Sequence, residues 1–186
     1  AFGNSALYYN TASNNTGLGY QAGYSITTGA DNTAVGSQSL RNSTTGANNT
    51  AVGRCTLYSN TTGSFNTAVG KKTLNLNTTG THNTASGYLS LCGNTGGGSN
   101  TAHGSQSLRN TSTGSSNTAT GAFSLFNNTT CSSNTAVGYV SLCSNTTGAC
   151  NVAVGWRALQ NNTSACYNIS IGTCALYNTT TGKRNV

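Results

Sequence analysis

Residues 32–48 read NTAVGSQSLRNSTTGAN, residues 49–65 read NTAVGRCTLYSNTTGSF, and residues 66–82 read NTAVGKKTLNLNTTGTH. Near-copies at a fixed short period are the mark of a stacked architecture, in which a unit buries its apolar face only against its neighbours. An Asn opens a unit at 15, 32, 49, 66, 83, 100, 117, 134, 151, 168 and 185, and every interval is 17 residues. Comparison of the units separates constrained from tolerant positions. The fifth is Gly in all ten complete units, from Gly19 to Gly172. The third is Ala in eight, with Gly17 and Ser170 as equally small variants. The eighth is Ser, Thr or Ala, and the thirteenth Thr or Ser. The ninth is Leu in nine of ten units (Leu40, Leu57, Leu74, Leu91, Leu108, Leu125, Leu142, Leu159 and Leu176), Gly23 being the exception. By contrast, the sixth, seventh, tenth, sixteenth and seventeenth positions accept Lys, Arg, Tyr, Trp, Gln, Cys or Asn, as a surface does.

Recurrent Gly and Thr-rich runs make helix a poor solution, because each interior Gly costs about 1 kcal/mol against Ala. Short strands punctuated by Gly and Asn fit better. The expected unit has two extended segments, NTAVG and the stretch around the ninth-position Leu, with NTTG turning the chain back. The fold class is therefore all-β: a β-solenoid, or β-roll, of 17-residue coils stacked at about 4.8 Å. Equivalent residues form ladders, with a thin core of Leu, Ala and Val. One coil alone buries too little, roughly 1.5–3 kcal/mol for each large aliphatic side chain, against an ordering cost of about 1–2 kcal/mol per residue. Stacking supplies the difference by pairing each coil's backbone with the next.

The chain reads as a single repeat domain, 1–186, without a cap at either end. Asn185 and Val186 are the first two positions of a new unit, and Ala1 to Leu7 read as positions three to nine. Tail and head together make one 16-residue coil, Asn185, Val186 and Ala1 to Asn14, so about eleven coils are expected with one split between the ends. Ala1, Phe2, Gly3, Leu7, Asn185 and Val186 are the residues of the expected joint. Either copies stack head to tail by β-augmentation, or the sequence is a window of a longer array; both yield a fibre. The absence of an initial Met suggests a processed or excerpted product.

Composition narrows the function. Only 5% of residues are charged, with Asp31 the single acid against eight Lys and Arg, and there is no Pro or Met. Disordered chains usually carry many charges and Pro, so an uncharged polar chain of this kind must pair its backbone with itself. No run of 18 apolar residues exists to span a membrane as a helix. The net charge of +7 is thinly spread, which speaks for solubility rather than nucleic-acid binding. Seven Cys in a Met-free chain fit an oxidising, extracellular setting, and the odd count leaves one thiol unpaired or bridged between molecules.

Catalysis lacks material. One carboxylate side chain supports neither a carboxylate pair nor a Ser-His-Asp relay, and His82 and His103 occupy different columns, which argues against a metal site. No cofactor is expected: the Gly residues recur as ladders rather than preceding a helix, so they are not phosphate loops. Cys131, Cys150 and Cys166 occupy the fifteenth, seventeenth and sixteenth positions of consecutive coils. A Cys150–Cys166 disulfide is expected there, with Cys131–Cys150 as the rival. Cys92 and Cys143 share a column three coils apart, too far to bridge, and Cys55 and Cys174 read as small buried residues at tolerant sites. N-glycosylation sequons begin at Asn60, Asn77, Asn128, Asn145 and Asn162 (twelfth position) and at Asn42, Asn110 and Asn178 (eleventh). Close coil spacing limits their occupancy and leaves O-linked sugars on the Thr ladder as the other form of decoration. Aromatic side chains recur at the sixth and tenth positions, where they fill the strand surface or pack between chains.

The units NTAVG…SL…NTTG resemble repeats of tail-fibre-like proteins of phages, algal viruses and bacteria. More loosely, NTAVG is similar to the head repeats of trimeric autotransporter adhesins. The resemblance spans essentially the whole chain, but the 17-residue period is longer than that of adhesin heads, and no stalk or anchor accompanies it. It implies an extracellular fibrous or adhesive part, often trimeric. The expected function is thus a structural, glycan-decorated segment of an extracellular fibre whose partner is itself, and not an enzyme. The alternative is a trimeric fibre shaft that binds cell-surface glycans, with the fourth position as interface. A third, less favoured reading is an ice-binding solenoid, since adjacent Thr residues put only one of each pair on a given face.

Overall fold

The structure, a computed structural model describing residues 1–186, is a β-solenoid without helices. Each unit contributes one three-residue strand, from β1 (Thr16–Leu18) and β2 (Thr33–Val35) to β10 (Ile169–Ile171). All ten pair in parallel, each only with its neighbours in chain order. The register is one unit: Ala34 lies beside Ala51 and Val35 beside Val52. Ten strands stack where about eleven coils are expected, because the split coil contributes only an isolated bridge, Phe2 beside Leu18. That bridge has the 16-residue offset expected of the shorter coil.

The second expected strand does not form. At the seventh and ninth positions the backbone turns left-handed, as at Gln38 (φ 60°) and Leu40 (φ 47°), and does so again at the seventeenth, as at Asn48 (φ 57°). A coil of 17 residues must return to its starting point, and one strand with three left-handed residues and a wide-φ Gly achieves this. The ladder continues through the turns regardless: the Leu40 N–H donates to the Thr56 carbonyl at 3.0 Å, and the Asn42 N–H to that of Tyr58 at 3.1 Å. Left-handed Leu costs about 1–2 kcal/mol. Burial compensates, because this conformation turns each internal ninth-position Leu wholly into the core.

The core differs from expectation in composition. Alternation along the strand sends third-position Ala inward and fourth-position Val outward, so Val belongs to the surface. Ala and Leu form one continuous apolar column. Beside it run buried asparagines of the first position (Asn32 to Asn168) and of the twelfth (Asn60, Asn77, Asn94, Asn128, Asn145 and Asn162). The first-position column is fully satisfied. Asn83 Nδ2 donates to Asn66 Oδ1 at 3.1 Å and to the Gly97 carbonyl at 2.9 Å. Its own Oδ1 accepts from the N–H and the Nδ2 of Asn100. Each carboxamide thus replaces the water it loses on burial with partners in its own and both adjacent coils.

The twelfth-position column breaks at Thr111. Asn77 donates to Asn60, Asn94 to Asn77, Asn145 to Asn128 and Asn162 to Asn145. Asn94 Oδ1 and Thr111 Oγ1, facing the break, have no partner. Thr111→Asn restores the donor and is expected to stabilise the fold by about 1 kcal/mol. A raised urea midpoint with unchanged slope checks this.

Candidate assembly and recognition surfaces

Within residues 1–186 the first and last coils each pair on one side. Leu7 and Leu176 are only partly buried, unlike the internal members of their column. Within the stack, a fifth-position N–H donates to the preceding coil's fourth-position carbonyl, as Gly36 does to Leu18, and a seventh-position N–H to its sixth-position carbonyl, as Gln38 does to Tyr20. Ninth- and eleventh-position N–H groups donate forward, as Leu7 does to Ala22. The N–H groups of Gly3 and Ser5 at one end, and of Leu176 and Asn178 at the other, have no backbone acceptor. Asn185 continues the first-position column, its N–H and Nδ2 both 2.9 Å from Asn168 Oδ1, while Phe2 and Val186 are largely exposed. Both parts of the split coil are therefore in register with the stack.

The outer face of the sheet carries Thr at most second positions and aliphatic residues at most fourth positions, among them the exposed Leu18, Val69, Val137 and Ile171. Ser86, His103 and Thr120 interrupt the aliphatic column, with Ser86 Oγ and His103 Nδ1 2.7 Å apart. His82 stands in another column, stacked on Phe65 with ring centroids 4.9 Å apart, so the structure does not bring the two histidines together.

A second face collects the charged and aromatic side chains. Six of the eight cations (Arg41, Arg54, Lys71, Lys72, Arg109 and Arg157) and ten of the fourteen aromatic residues occupy the sixth, seventh and tenth positions. Contacts tie these positions into one surface. Arg41 Nε donates to Gln21 Oε1 at 2.9 Å, and Phe123 packs on Phe126 and Tyr139. The Arg157 guanidinium lies 4.9 Å from the Trp156 ring centre and 5.7 Å from that of Tyr177. Asp31 lies at the seventeenth position, off this face, where its Oδ1 accepts from Asn14 Nδ2. The segregation is legible in the sequence once positions six, seven and ten are read as one surface, but a chain-wide charge count averages it away.

The sequons divide. Asn42 is half-buried, and Asn110 and Asn178 are exposed. Asn60, Asn77, Asn128, Asn145 and Asn162 are fully buried, and the Nδ2 that would carry a sugar is already a donor, for example from Asn60 to the Gly63 carbonyl at 2.9 Å. These five are closed to glycosylation on the folded chain. Mass spectrometry of the glycosylated folded protein is expected to find N-linked sugar at Asn110 and Asn178 and none at the buried five.

All seven cysteines are free thiols, so neither Cys150–Cys166 nor Cys131–Cys150 is bridged. Cys150, left-handed at φ 58°, is exposed. Cys166 Sγ instead accepts from the Ala149 N–H at 3.3 Å, and buried Cys131 donates to the Thr146 carbonyl at 3.0 Å. Cys55 is half-buried, whereas Cys174 is exposed rather than buried. Burial pushes the thiols of Cys92, Cys131 and Cys143 above their usual range. Native-state alkylation near pH 8 is therefore expected to label Cys150 and Cys174 first and Cys92, Cys131 and Cys143 well after them.

Nothing on the surface is concave enough to enclose a small molecule, and no cluster of three metal-ligating side chains exists. Comparison with protein-family models, curated proteins and solved structures returned no match.

Proposed function

We propose that the chain is a structural segment of an extracellular fibre, lengthened by continuing the solenoid across its open ends. The observation that carries this reading is the complementarity of those ends. A second copy placed one coil on pairs the Gly3 N–H with the Ile171 carbonyl and the Ser5 N–H with that of Thr173. The Leu176 and Asn178 N–H groups then meet the carbonyls of Ala6 and Tyr8, as every internal step of the ladder does. Asn185 and Val186 complete the coil begun by Ala1, Phe2 and Gly3, and Leu7 gains cover. Further repeats of the same chain continue the ladder equally well, and either route builds a fibre. A polar coat almost free of acidic residues and exposed sequons at Asn110 and Asn178 support an extracellular, glycan-decorated part. The fourteenth-position Thr column, exposed at Thr45, Thr62, Thr79, Thr113, Thr130 and Thr147, is the place for O-linked sugar.

Electron microscopy tests this reading. Filaments one chain thick with an axial repeat of about 53 Å, eleven coils at 4.8 Å, are expected. Discrete rods sink it. Three chains around one axis would instead support a trimeric shaft packed through the exposed fourth-position column, which Leu18, Val69, Val137 and Ile171 favour.

A further inference from the structure

We propose that the face built from the sixth, seventh and tenth positions binds a linear acidic polysaccharide, a chain of sugar rings bearing uronate or sulfate. The inference rests on the surface of the coil stack and holds for a single chain whether or not copies assemble.

Charge is the first ground. Six cations share one face, and the sole carboxylate side chain lies elsewhere, so no acid of the protein neutralises them. A field of one sign along a single face attracts a polyanion.

The second ground is the alternation of cations with flat rings. Arg41 lies 5.6 Å and 5.7 Å from the ring centres of Tyr24 and Tyr58, Lys71 5.9 Å from that of Tyr88, and Arg109 5.5 Å from that of Phe126. Sugar rings stack their C–H faces on such platforms while adjacent cations take the acid groups. Arg41 is held in place by Gln21, Asn42 and Tyr58. Arg109 and Arg157 make no side-chain hydrogen bond within the fold, leaving their guanidinium donors free for a bidentate acid group. Gln38 and Gln106 add amides suited to ring hydroxyls.

Shape and spacing choose the class of polymer. A face without a cavity suits an extended chain rather than a small molecule. From Arg41 to Arg157 is seven coil steps, about 34 Å, over which successive cations stand from zero to three coils apart. A nucleic-acid duplex offers a phosphate about every 3.4 Å along each strand, and a single strand is held in a continuous basic groove, which this face lacks. A polysaccharide, which carries its acid groups on stackable sugar rings, suits these sparser cations and the aromatic rings between them.

The test is biolayer interferometry of dilute, dispersed chains against immobilised polygalacturonate, dextran sulfate, neutral dextran and poly(dT). Binding to polygalacturonate or dextran sulfate that weakens with salt is expected, and the two surfaces distinguish uronate from sulfate recognition. Trp156→Ala and the double variant R109Q/R157Q are each expected to weaken it by about tenfold or more. Val69→Thr, on the outer face of the sheet and away from these positions, is expected to leave it unchanged. Circular dichroism of each variant confirms the fold, since all the changed side chains lie at the surface. Equal affinity for neutral dextran, tighter binding to poly(dT), no binding to either acidic glycan, or folded variants that bind like the parent would each overturn the proposal. Polysaccharide binding by chains that form no filaments would leave this inference standing and remove the assembly reading.

Discussion

Gly53→Ala is expected to lower stability by about 4 kcal/mol, as is the same change at the equivalent glycines of the other internal coils. The backbone at Gly53 has φ +131°, a region closed to residues with a Cβ, and a Cβ there would stand 2.6 Å from the Gly70 carbonyl oxygen of the next coil. Conformational strain of about 1–3 kcal/mol and overpacking of similar size act together, since neither coil can withdraw without breaking the ladder. Gly96→Ala is the control. Gly96 is exposed at the fourteenth position, its φ is ordinary, and an added Cβ meets only the Thr79 hydroxyl at 3.3 Å. Its effect is expected within about 0.5 kcal/mol. Thermal unfolding of the two variants decides the matter, and equal midpoints would show that close coil contact at the fifth position is not what demands Gly.

The second large effect is expected from Asn100→Asp, which changes one NH2 group into an oxygen. Asn100 Nδ2 donates to Asn83 Oδ1 at 3.2 Å and to the Gly114 carbonyl at 2.8 Å, while its Oδ1 accepts from the N–H and Nδ2 of Asn117. An ionised Asp would aim a second oxygen at two carbonyl oxygens in a fully buried site, at a cost of about 3–5 kcal/mol near neutral pH. Burial raises the carboxyl's pKa in the folded variant above its unfolded value of about 3.9. The protonated form, with one donor, keeps part of the ladder. Stability is therefore greatest below the unfolded pKa and falls as pH rises toward the folded one. Urea midpoints at pH 3 and pH 7 are expected to differ strongly for the variant and little for the parent, whose only carboxylate side chain is exposed Asp31. A variant as stable at pH 7 as at pH 3 would mean that the asparagine column contributes shape rather than donors.

Those two sites also show how far the sequence can be read. A strict period states which residues stand above one another, because stacking is translation by one coil. Gly at every fifth position and Leu at nearly every ninth were therefore legible as ladders, and with them the all-β solenoid, the register and the tolerant surface columns. The period also placed Phe2 and Asn185 in phase with the stack, as their pairing with Leu18 and Asn168 confirms.

Translation says nothing of where a side chain points within its coil. That is decided by the left-handed turns at positions seven, nine and seventeen, and local preference argues against them at Leu40 or Leu57, whose strain is offset only by burial among other coils. Those turns carry twelfth-position asparagines such as Asn60 inward although their sequons suggest a surface. They also gather positions six, seven and ten into one basic, aromatic face. The sequence by itself determined the stack and its ladders; the closed coil decided inside from outside, because that choice belongs to the packing of many coils and not to the preferences of one.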